Sequence, residues 1–366
     1  MHSLIRKRRY GLINPIELER AVVTKRAYEV ELSRTKQFAH THRVGNNSNL
    51  LEGAGNGTVH IYDLNQTPEK YKPIACAPKK YRHHHATSSV SWYPTDNGLF
   101  ITSGYDSTIK VWDTNTMKTV EEFNLECHVH KQSMSSIASH SLVASAADEP
   151  RIRLCDLTSG AFTHSLTGHR GYVLSCVWST NQEYILYSGG MDGKLFAWDI
   201  RKASSCIKSF NQSNSDLPSE TAHSRGINGL EITKDGRYLI SLGLDEKIRL
   251  WDTYSGQNTF VNYGSLWRNR YKLPLTAAIS GPDVWPSLLY IPSDDRQVLV
   301  YRLLDGELVK RLKGAYGRVT CVESRESRQQ LYSGSNAGDI LVWEPPGFLN
   351  TEEKTSDEDE WSSDED

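Results

Sequence analysis

Short apolar runs that end in small or turn-forming residues recur throughout this chain of 366 residues. In the stretch 185–199, one apolar run ends at Ser188-Gly189-Gly190, a tight turn follows at Asp192-Gly193, and a second apolar run ends at Trp198-Asp199. Two apolar runs joined by a short turn predict two antiparallel strands. The repetition of this pattern along the chain predicts an all-β protein.

The second strand of these pairs ends in a dipeptide that recurs at nearly regular intervals. Three copies are strong and four are weaker, and in chain order they are Tyr62-Asp63, Trp112-Asp113, Cys155-Asp156, Trp198-Asp199, Trp251-Asp252, Tyr301-Arg302 and Trp343-Glu344. Neighbouring copies lie 50, 43, 43, 53, 50 and 42 residues apart. A Trp-Asp pair with a period of roughly 40–45 residues is typical of one four-stranded blade of a WD40 β-propeller. Seven copies therefore predict a seven-bladed ring, which leaves only short sheet edges exposed.

Polar residues also recur at set distances before the Trp-Asp pairs. In the fourth blade they are His169, Ser188 and Asp192, which precede Trp198. In proteins with this repeat, such residues form a buried hydrogen-bonded chain, and an unpaired buried polar group would cost about 1–3 kcal/mol. The set also looks like a Ser-His-Asp catalytic triad. Because it recurs from blade to blade and needs a buried hydroxyl, we predict a structural role and a protein that is not an enzyme.

The first blade is predicted to be shortened. The interval from its candidate opening histidine, His40 or His42, to Tyr62 is clearly shorter than the corresponding interval in the regular blades. Those blades are expected to open with His85, His169 and His223. Residues 46–49 (Asn-Asn-Ser-Asn) are expected to form a loop, so much of one strand would be missing.

Composition limits the class of protein further. With 38% hydrophobic residues and no apolar stretch of 18 residues, the chain predicts one large folded domain without a membrane span. The start of the chain lacks the apolar core of a secretory signal. Six scattered cysteines favour a reducing compartment over disulfides or a zinc site, and no metal or cofactor is expected. A net charge of −2 gives no reason to expect direct nucleic-acid binding.

Charge is concentrated at the two ends of the chain. Residues 1–36 carry nine Lys/Arg and four Asp/Glu, a sum of +5, whereas residues 351–366 carry one Lys and nine Asp/Glu, a sum of −8. So acidic a segment cannot bury a core and is predicted to be disordered. Acids follow Ser356, Ser362 and Ser363, which makes these serines candidate phosphorylation sites; a tail that only aids solubility is the alternative.

A helix is predicted from about Pro15 to Leu32, because Asn14 can cap it and proline suits the first helical position. Two apolar stripes would lie on opposite sides. One holds Ile16, Val23, Ala27 and Val30, and the other holds Leu18, Ala21, Tyr28 and Leu32. Two stripes suggest contacts on both sides, although one weak stripe could simply be exposed. The predicted organisation is a helical docking segment at 1–36, a propeller at 37–347 and an acidic tail at 348–366.

Among the three strong Trp-Asp pairs, the pair in blade four alone is followed by an arginine two positions later, Arg201. The corresponding residues in the other two are Asn115 and Tyr254. A guanidinium at the edge of a propeller can form paired hydrogen bonds with a partner's carboxylate or carbonyl groups. The alternative is an arginine at the rim with no partner.

This window resembles the motif of propeller receptors of cullin-4 ubiquitin ligases. The matching residues are Ile185-Leu186, Ser188-Gly189-Gly190, Asp192, Leu195, Trp198-Asp199 and Arg201, with Tyr187 as an extra residue. Over nearly its whole length, the chain is similar to the Cockayne syndrome group A family of WD40 receptors. The resemblance rests on Asn14-Pro15, Trp92-Tyr93-Pro94, 110–116, 154–157 with its unusual Cys155, 258–264, 312–314, 331–335 and 361–366.

The resemblance implies a substrate-recognition subunit for transcription-coupled nucleotide excision repair in the nucleus, on chromatin. Arg201 and Asp199, with Ile16, Val23, Ala27 and Val30 of the helix, would bind the damaged-DNA-binding adaptor protein, and through it cullin-4 and a RING subunit. The opposite face would recognise the Cockayne syndrome group B ATPase and the stalled RNA polymerase II machinery. The alternative is a generic WD40 protein-interaction scaffold in another nuclear pathway.

Overall fold

A computed structural model describes residues 49–65, 73–94, 96, 98–202, 206–215, 220–281, 284–326 and 329–344, together with the backbone of 25–30 and 39–44. These residues form seven four-stranded antiparallel sheets. Within these ranges there is no helix, and hence none that is long and apolar enough to cross a membrane. The predicted all-β, seven-bladed propeller is therefore confirmed.

Each blade takes four strands. Blade one has β2 (Ala39–Val44), β3 (Asn49–Ala54), β4 (Val59–Asp63) and β5 (Pro73–Cys76); blade two has β6 (Thr87–Trp92), β7 (Leu99–Gly104), β8 (Thr108–Asp113) and β9 (Lys118–Asn124). Blade three has β10 (Val129–Met134), β11 (Leu142–Ala147), β12 (Arg151–Asp156) and β13 (Ala161–Thr167); blade four has β14 (Val173–Trp178), β15 (Ile185–Gly190), β16 (Leu195–Asp199) and β17 (Cys206–Phe210). Blade five has β18 (Ile227–Ile232), β19 (Tyr238–Gly243), β20 (Ile248–Asp252) and β21 (Gln257–Asn258); blade six has β22 (Ala278–Ile279), β23 (Leu288–Ser293), β24 (Gln297–Arg302) and β25 (Leu308–Lys313). Blade seven has β26 (Val319–Arg325), β27 (Gln330–Ser335), β28 (Ile340–Glu344) and β1 (Lys25–Val30).

The hydrophobic core lies in the seams between neighbouring blades. Between blades three and four, Trp178 and Trp198 pack with Leu154 and Ala144, and all four side chains are buried. Burying a large apolar side chain stabilises the fold by about 1.5–3 kcal/mol. Because such clusters follow the ring, each blade depends on the blades beside it.

The N-terminal segment closes the ring as a strand. Residues 25–30 form β1, which pairs antiparallel with β28 from Lys25 opposite Glu344 to Val30 opposite Ile340. The helix prediction is therefore wrong for these residues, including Ala27 and Val30, while Ile16, Val23 and the rest of the predicted helix lie outside the described residues. The physical reason is the sheet edge: without β1, blade seven would end at β28 with its backbone groups unpaired.

Blade one is complete, so the prediction of a shortened blade is also wrong. Its four strands pair in the order β2, β3, β4, β5, and Asn49 already belongs to β3. The first two strands are joined by residues 45–48, whereas residues 93–98 join them in blade two and residues 179–184 in blade four. With four residues in place of six, this connection accounts for two of the missing residues. The rest of the short interval arises because it was counted from His40 or His42, which lie within β2 and do not open the blade.

The connections divide into two faces. In the described residues, the loops that enter the blades contact the turn between the second and third strands of a blade. The amide of His83 donates to the carbonyl of Gly57 at 3.1 Å, and the amide of Leu244 donates to the carbonyl of Gly226 at 2.7 Å. We call this the entry face. On the opposite face, the loop between the first and second strands contacts the turn after the Trp-Asp position, as in Ile200 N–H to Tyr184 C=O (3.2 Å). We call this the Arg201 face.

Candidate docking face

The structure brings His169, Ser188, Asp192 and Trp198 of blade four into one hydrogen-bonded chain. Trp198 Nε1 donates to Ser188 Oγ at 2.7 Å, Ser188 Oγ lies 2.8 Å from His169 Nε2, and His169 Nδ1 lies 3.1 Å from Asp192 Oδ1. A carboxylate only accepts hydrogen bonds, so Nδ1 carries the proton and Nε2 accepts the serine O–H. Ser188 is fully buried, which places its hydroxyl out of reach of any substrate.

Blades two and five contain the same chain. In blade two it runs from Trp112 through Thr102 (2.8 Å) and His83 (2.7 Å) to Asp106 (2.9 Å). The residue that opens this blade is therefore His83, which precedes Trp112 by the same interval as His169 precedes Trp198, and the expectation for His85 is wrong. In blade five the hydrogen-bonded chain runs from Trp251 through Ser241 (2.9 Å) and His223 (2.7 Å) to Asp245 (2.8 Å).

The other blades use different chemistry at the same positions. In blade one, Tyr62 replaces the tryptophan and its hydroxyl donates to Glu52 Oε2 at 2.8 Å. In blade seven, Trp343 Nε1 still donates to Ser333 Oγ at 2.9 Å, but Ala337 stands in place of the aspartate. In blade three, Cys155 is buried, and burial raises the pKa of its thiol to about 12. This cysteine is a small apolar core residue without a reactive thiolate.

Blade five has an arginine against its buried pair. Arg249 Nη1 lies 2.6 Å from His223 Nδ1 and 3.1 Å from Asp245 Oδ2. Burial, followed by the charge of Arg249, lowers the pKa of His223 below its usual 6.5, although Asp245 opposes this shift. Burial would raise the pKa of Asp245, but the hydrogen bond and charge of His223, together with Arg249, outweigh it and hold that pKa well below 3.8.

The propeller is therefore expected to lose stability as the pH falls below 6.5. In that range an unfolded chain protonates His223 while the folded protein resists protonation, so the unfolded state gains protons. The contribution of this residue is at most about 1.4 kcal/mol per pH unit. Denaturant unfolding at pH 7.5, 6.5 and 5.5 would measure it. The matched variant His223→Asn should show a smaller loss between pH 6.5 and 5.5, and equal slopes in the two proteins would contradict the assignment.

Arg201 is held in place on the Arg201 face. Its Nε and Nη2 donate to the two carboxylate oxygens of Asp199, each at 2.9 Å, and its guanidinium lies 4.7 Å from the ring centre of Tyr184. Asp199 is buried, and hydrogen bonds from Arg201 lower the pKa of its carboxyl group. The side chain of Arg201 nevertheless remains 60% exposed. One edge of the guanidinium is therefore used within the chain, and the charge is presented to solvent in a fixed orientation.

An aromatic row runs from Arg201 toward the central channel. Tyr184 lies 5.8 Å from the ring of His140, and His140 lies 4.9 Å from Trp178. Trp178 and Ile137, which is 48% exposed, line a cavity of about 520 Å³ whose other lining residues are mostly polar. Aromatic residues and arginine are enriched at the energetically important positions of protein-binding sites. Sequence reasoning missed Tyr184, His140 and Trp178, because His140 comes from a different blade and no spacing links it to the other two.

The other predicted site residues lie in β1 or outside the described residues. Ala27 and Val30 lie in β1, in blade seven. Ile16 and Val23, and the candidate phosphorylation sites Ser356, Ser362 and Ser363, lie outside the described residues. The part of the candidate docking face that the structure describes is thus Arg201 with Tyr184 and His140, which rest on the buried Asp199 and Trp178.

Comparison with known proteins agrees with the fold. A family model described as "WD domain, G-beta repeat" matches residues 77–113, 160–199 and 214–252. These segments include the first three strands of blades two, four and five, the blades that hold the complete Trp-to-Asp chains. The WD repeat-containing protein ATCSA-1 of Arabidopsis thaliana is 31% identical over 455 aligned residues, which cover 99% of this chain and 100% of the relative. Radiation-sensitive protein 28 of Saccharomyces cerevisiae is 24% identical over 283 residues, covering 69% of this chain and 55% of the relative.

Proposed function

Because the chain belongs to the WD-repeat family represented by ATCSA-1 of Arabidopsis thaliana, we propose that it is a substrate-recognition subunit of a cullin-4 ubiquitin ligase. Its pathway would be transcription-coupled nucleotide excision repair in the nucleus. Similarity to a relative named for radiation sensitivity supports a role in DNA repair. The protein holds a target and leaves ubiquitin transfer to a RING subunit and its conjugating enzyme, which raises the effective concentration of the target's lysines near that enzyme.

The observation that carries this proposal is the geometry of Arg201. A free arginine side chain loses rotamer freedom when it binds, whereas the two bonds to Asp199 and the stack on Tyr184 have already ordered this one. A damaged-DNA-binding adaptor protein that docks on the Arg201 face would meet this oriented cation beside the aromatic row. The entry face stays available for the Cockayne syndrome group B ATPase and factors at a stalled RNA polymerase II.

Arg201→Glu is expected to weaken binding of the purified adaptor roughly tenfold or more, because it replaces an oriented cation with an acid beside Asp199. Binding of the full chain to the adaptor would be measured by interferometry, with the melting temperature as a check on folding. Arg201→Gln, which keeps a polar side chain of similar length, should lose less affinity for the adaptor than Arg201→Glu.

Arg170→Glu is a matched control, since Arg170 is exposed on the entry face and contacts Asp192 through its backbone amide. It should leave adaptor affinity unchanged. Equal affinity of the wild-type protein and Arg201→Glu would remove this residue from the interface. If the wild-type protein binds neither the adaptor nor cullin-4, the chain is a WD40 scaffold of another pathway.

A further inference from the structure

The outermost strand of blade six carries an unbalanced positive charge. Lys310, Arg311 and Lys313 are exposed in β25, and among the described residues no carboxylate lies within ion-pair distance of them. The corresponding strand of blade two instead carries Glu121 and Glu122 beside Lys118, and that of blade four carries one lysine. A fourth strand also has one edge without a neighbour in its own sheet. β25 thus combines a basic surface with an open hydrogen-bonding edge.

A groove lies on blade five, beside the segment 260–264 that leads to blade six. It has a volume of about 320 Å³, and its described lining includes Lys247, Gln212 and Asn262, together with Arg249, which is already paired with Asp245. Phe260 lies at the groove with 63% of its surface exposed, although an aromatic side chain normally avoids water.

The segment that forms one wall of the groove is fixed to blade six. The hydroxyl of Tyr263 donates to the carbonyl of Leu303 at 2.6 Å, and Val261 packs in the same apolar cluster as Leu308 of β25. Asn262 of the groove also lies against Gly306, in the turn just before β25, so the groove and β25 are neighbours, and we call the two together the blade-six rim. It offers cations, an unpaired strand edge and one exposed aromatic ring.

The chemistry of the blade-six rim matches a segment of this same chain. Residues 351–366 sum to −8 and contain one large aromatic residue, Trp361. The last described strand, β28, ends at Glu344 in blade seven, which is next to blade six. Twenty-two residues follow it, and an extended chain of that length reaches about 70 Å. A four-stranded blade measures only about 15 Å from its inner to its outer strand, so a segment of this length can reach the outer strand of the neighbouring blade six.

We propose that residues 351–366 bind along the blade-six rim, with acidic side chains against Lys310, Arg311, Lys313 and Lys247 and with Trp361 against Phe260. The segment would cover the open edge of β25 and neutralise its charge. Acidic segments of other proteins would then reach the blade-six rim only by displacing it. This inference does not depend on the proposed ligase function.

A carbodiimide, which joins carboxylates to lysine amines in direct contact, tests the proposal on the full chain. Mass spectrometry is expected to find cross-links from residues 351–366 to Lys310, Lys313 or Lys247. The triple variant Lys310→Glu, Arg311→Glu, Lys313→Glu should lower the yield of cross-links between residues 351–366 and Lys247 roughly tenfold. Each surface ion pair that is lost weakens binding by a factor of about two or more. High salt should lower the wild-type yield in the same direction.

Two controls make the outcome decisive. Lys118, in β9 beside two glutamates, should gain no cross-link to residues 351–366, and the triple variant should keep the wild-type melting temperature. Mixing isotopically light and heavy chains separates contacts within one chain from contacts between copies. Cross-links that follow lysine exposure without preference for the blade-six rim would overturn the proposal. So would a mixed light–heavy fraction of about one half in an equal mixture, which random pairing between copies gives.

Discussion

Deleting residues 1–34 is expected to destabilise the whole propeller, because it removes β1 from blade seven. Five residue pairs join β1 to β28. At about 1 kcal/mol net for each ladder hydrogen bond, the loss is roughly 3–6 kcal/mol, a large part of the total stability of a typical domain. It also exposes the edge of β28, so the truncated protein should aggregate. Thermal melting and light scattering would measure both effects.

A deletion of residues 1–22 is the matched control, since it leaves Lys25–Val30 in place. The protein that lacks residues 1–22 should have a melting temperature close to that of the full chain. If the deletion of 1–34 melted at the same temperature and stayed monodisperse, β1 would be dispensable, and the N-terminal segment would be a separable docking arm, as its sequence alone suggested. The same pair of proteins also separates folding from adaptor binding, since only residues 1–22 can be tested for docking without loss of a blade strand.

Asp245→Ala is expected to cost about 3–5 kcal/mol of unfolding free energy, because it leaves a buried charge without its counter-ion. In the folded protein Arg249 contacts both His223 and Asp245, and its side chain is only 16% exposed. Without the carboxylate of Asp245, the positive charge of Arg249 would lie against the buried imidazole of His223 with no negative charge beside it. Denaturant unfolding at pH 7.5 would give the loss directly.

Blade four supplies the comparison for this variant. The Trp-to-Asp chain of blade four has the same hydrogen bonds as that of blade five, but Phe196 occupies the position that Arg249 occupies in blade five. Asp192→Ala should therefore cost only the lost hydrogen bonds, about 1–3 kcal/mol. Adding Arg249→Leu to Asp245→Ala should recover part of the stability. Equal losses at Asp192 and Asp245, or no recovery in the double variant, would show that the arginine adds no electrostatic penalty.

Features that depend on contacts within one blade could be predicted from the sequence. The spacing of the Trp-Asp pairs located seven blades, and the offsets from Trp198 identified the buried chain of blade four. A four-stranded blade places its interacting side chains at constant separations along the chain, so a repeat in sequence becomes a repeat in space. The choice among His83, His84 and His85 needed the structure, because the spacing of blade-opening histidines varies slightly from blade to blade.

Features that join distant parts of the chain could not be predicted in this way. The sequence Lys25–Val30 is short and carries apolar residues at spacings that suit a helix as well as a strand, so local pattern could not decide between them. The pairing with β28, which lies near the opposite end of the chain, decided it. Likewise, the shorter interval before Tyr62 could belong to a strand or to a connection, and only the pairing of β2 with β3 showed that the strands are whole.

The Arg201 face shows the same division. The position of Arg201 two residues after a Trp-Asp pair was enough to place it at the end of a blade strand. Its surroundings depend on the folded ring: the carboxylate of Asp199 lies on one edge of the guanidinium, Tyr184 lies beneath it, and His140 comes from the neighbouring blade. Hydrogen bonds within a blade follow from residue spacing, but contacts between blades depend on how rigid sheets pack around the ring, and that packing is a property of the closed fold.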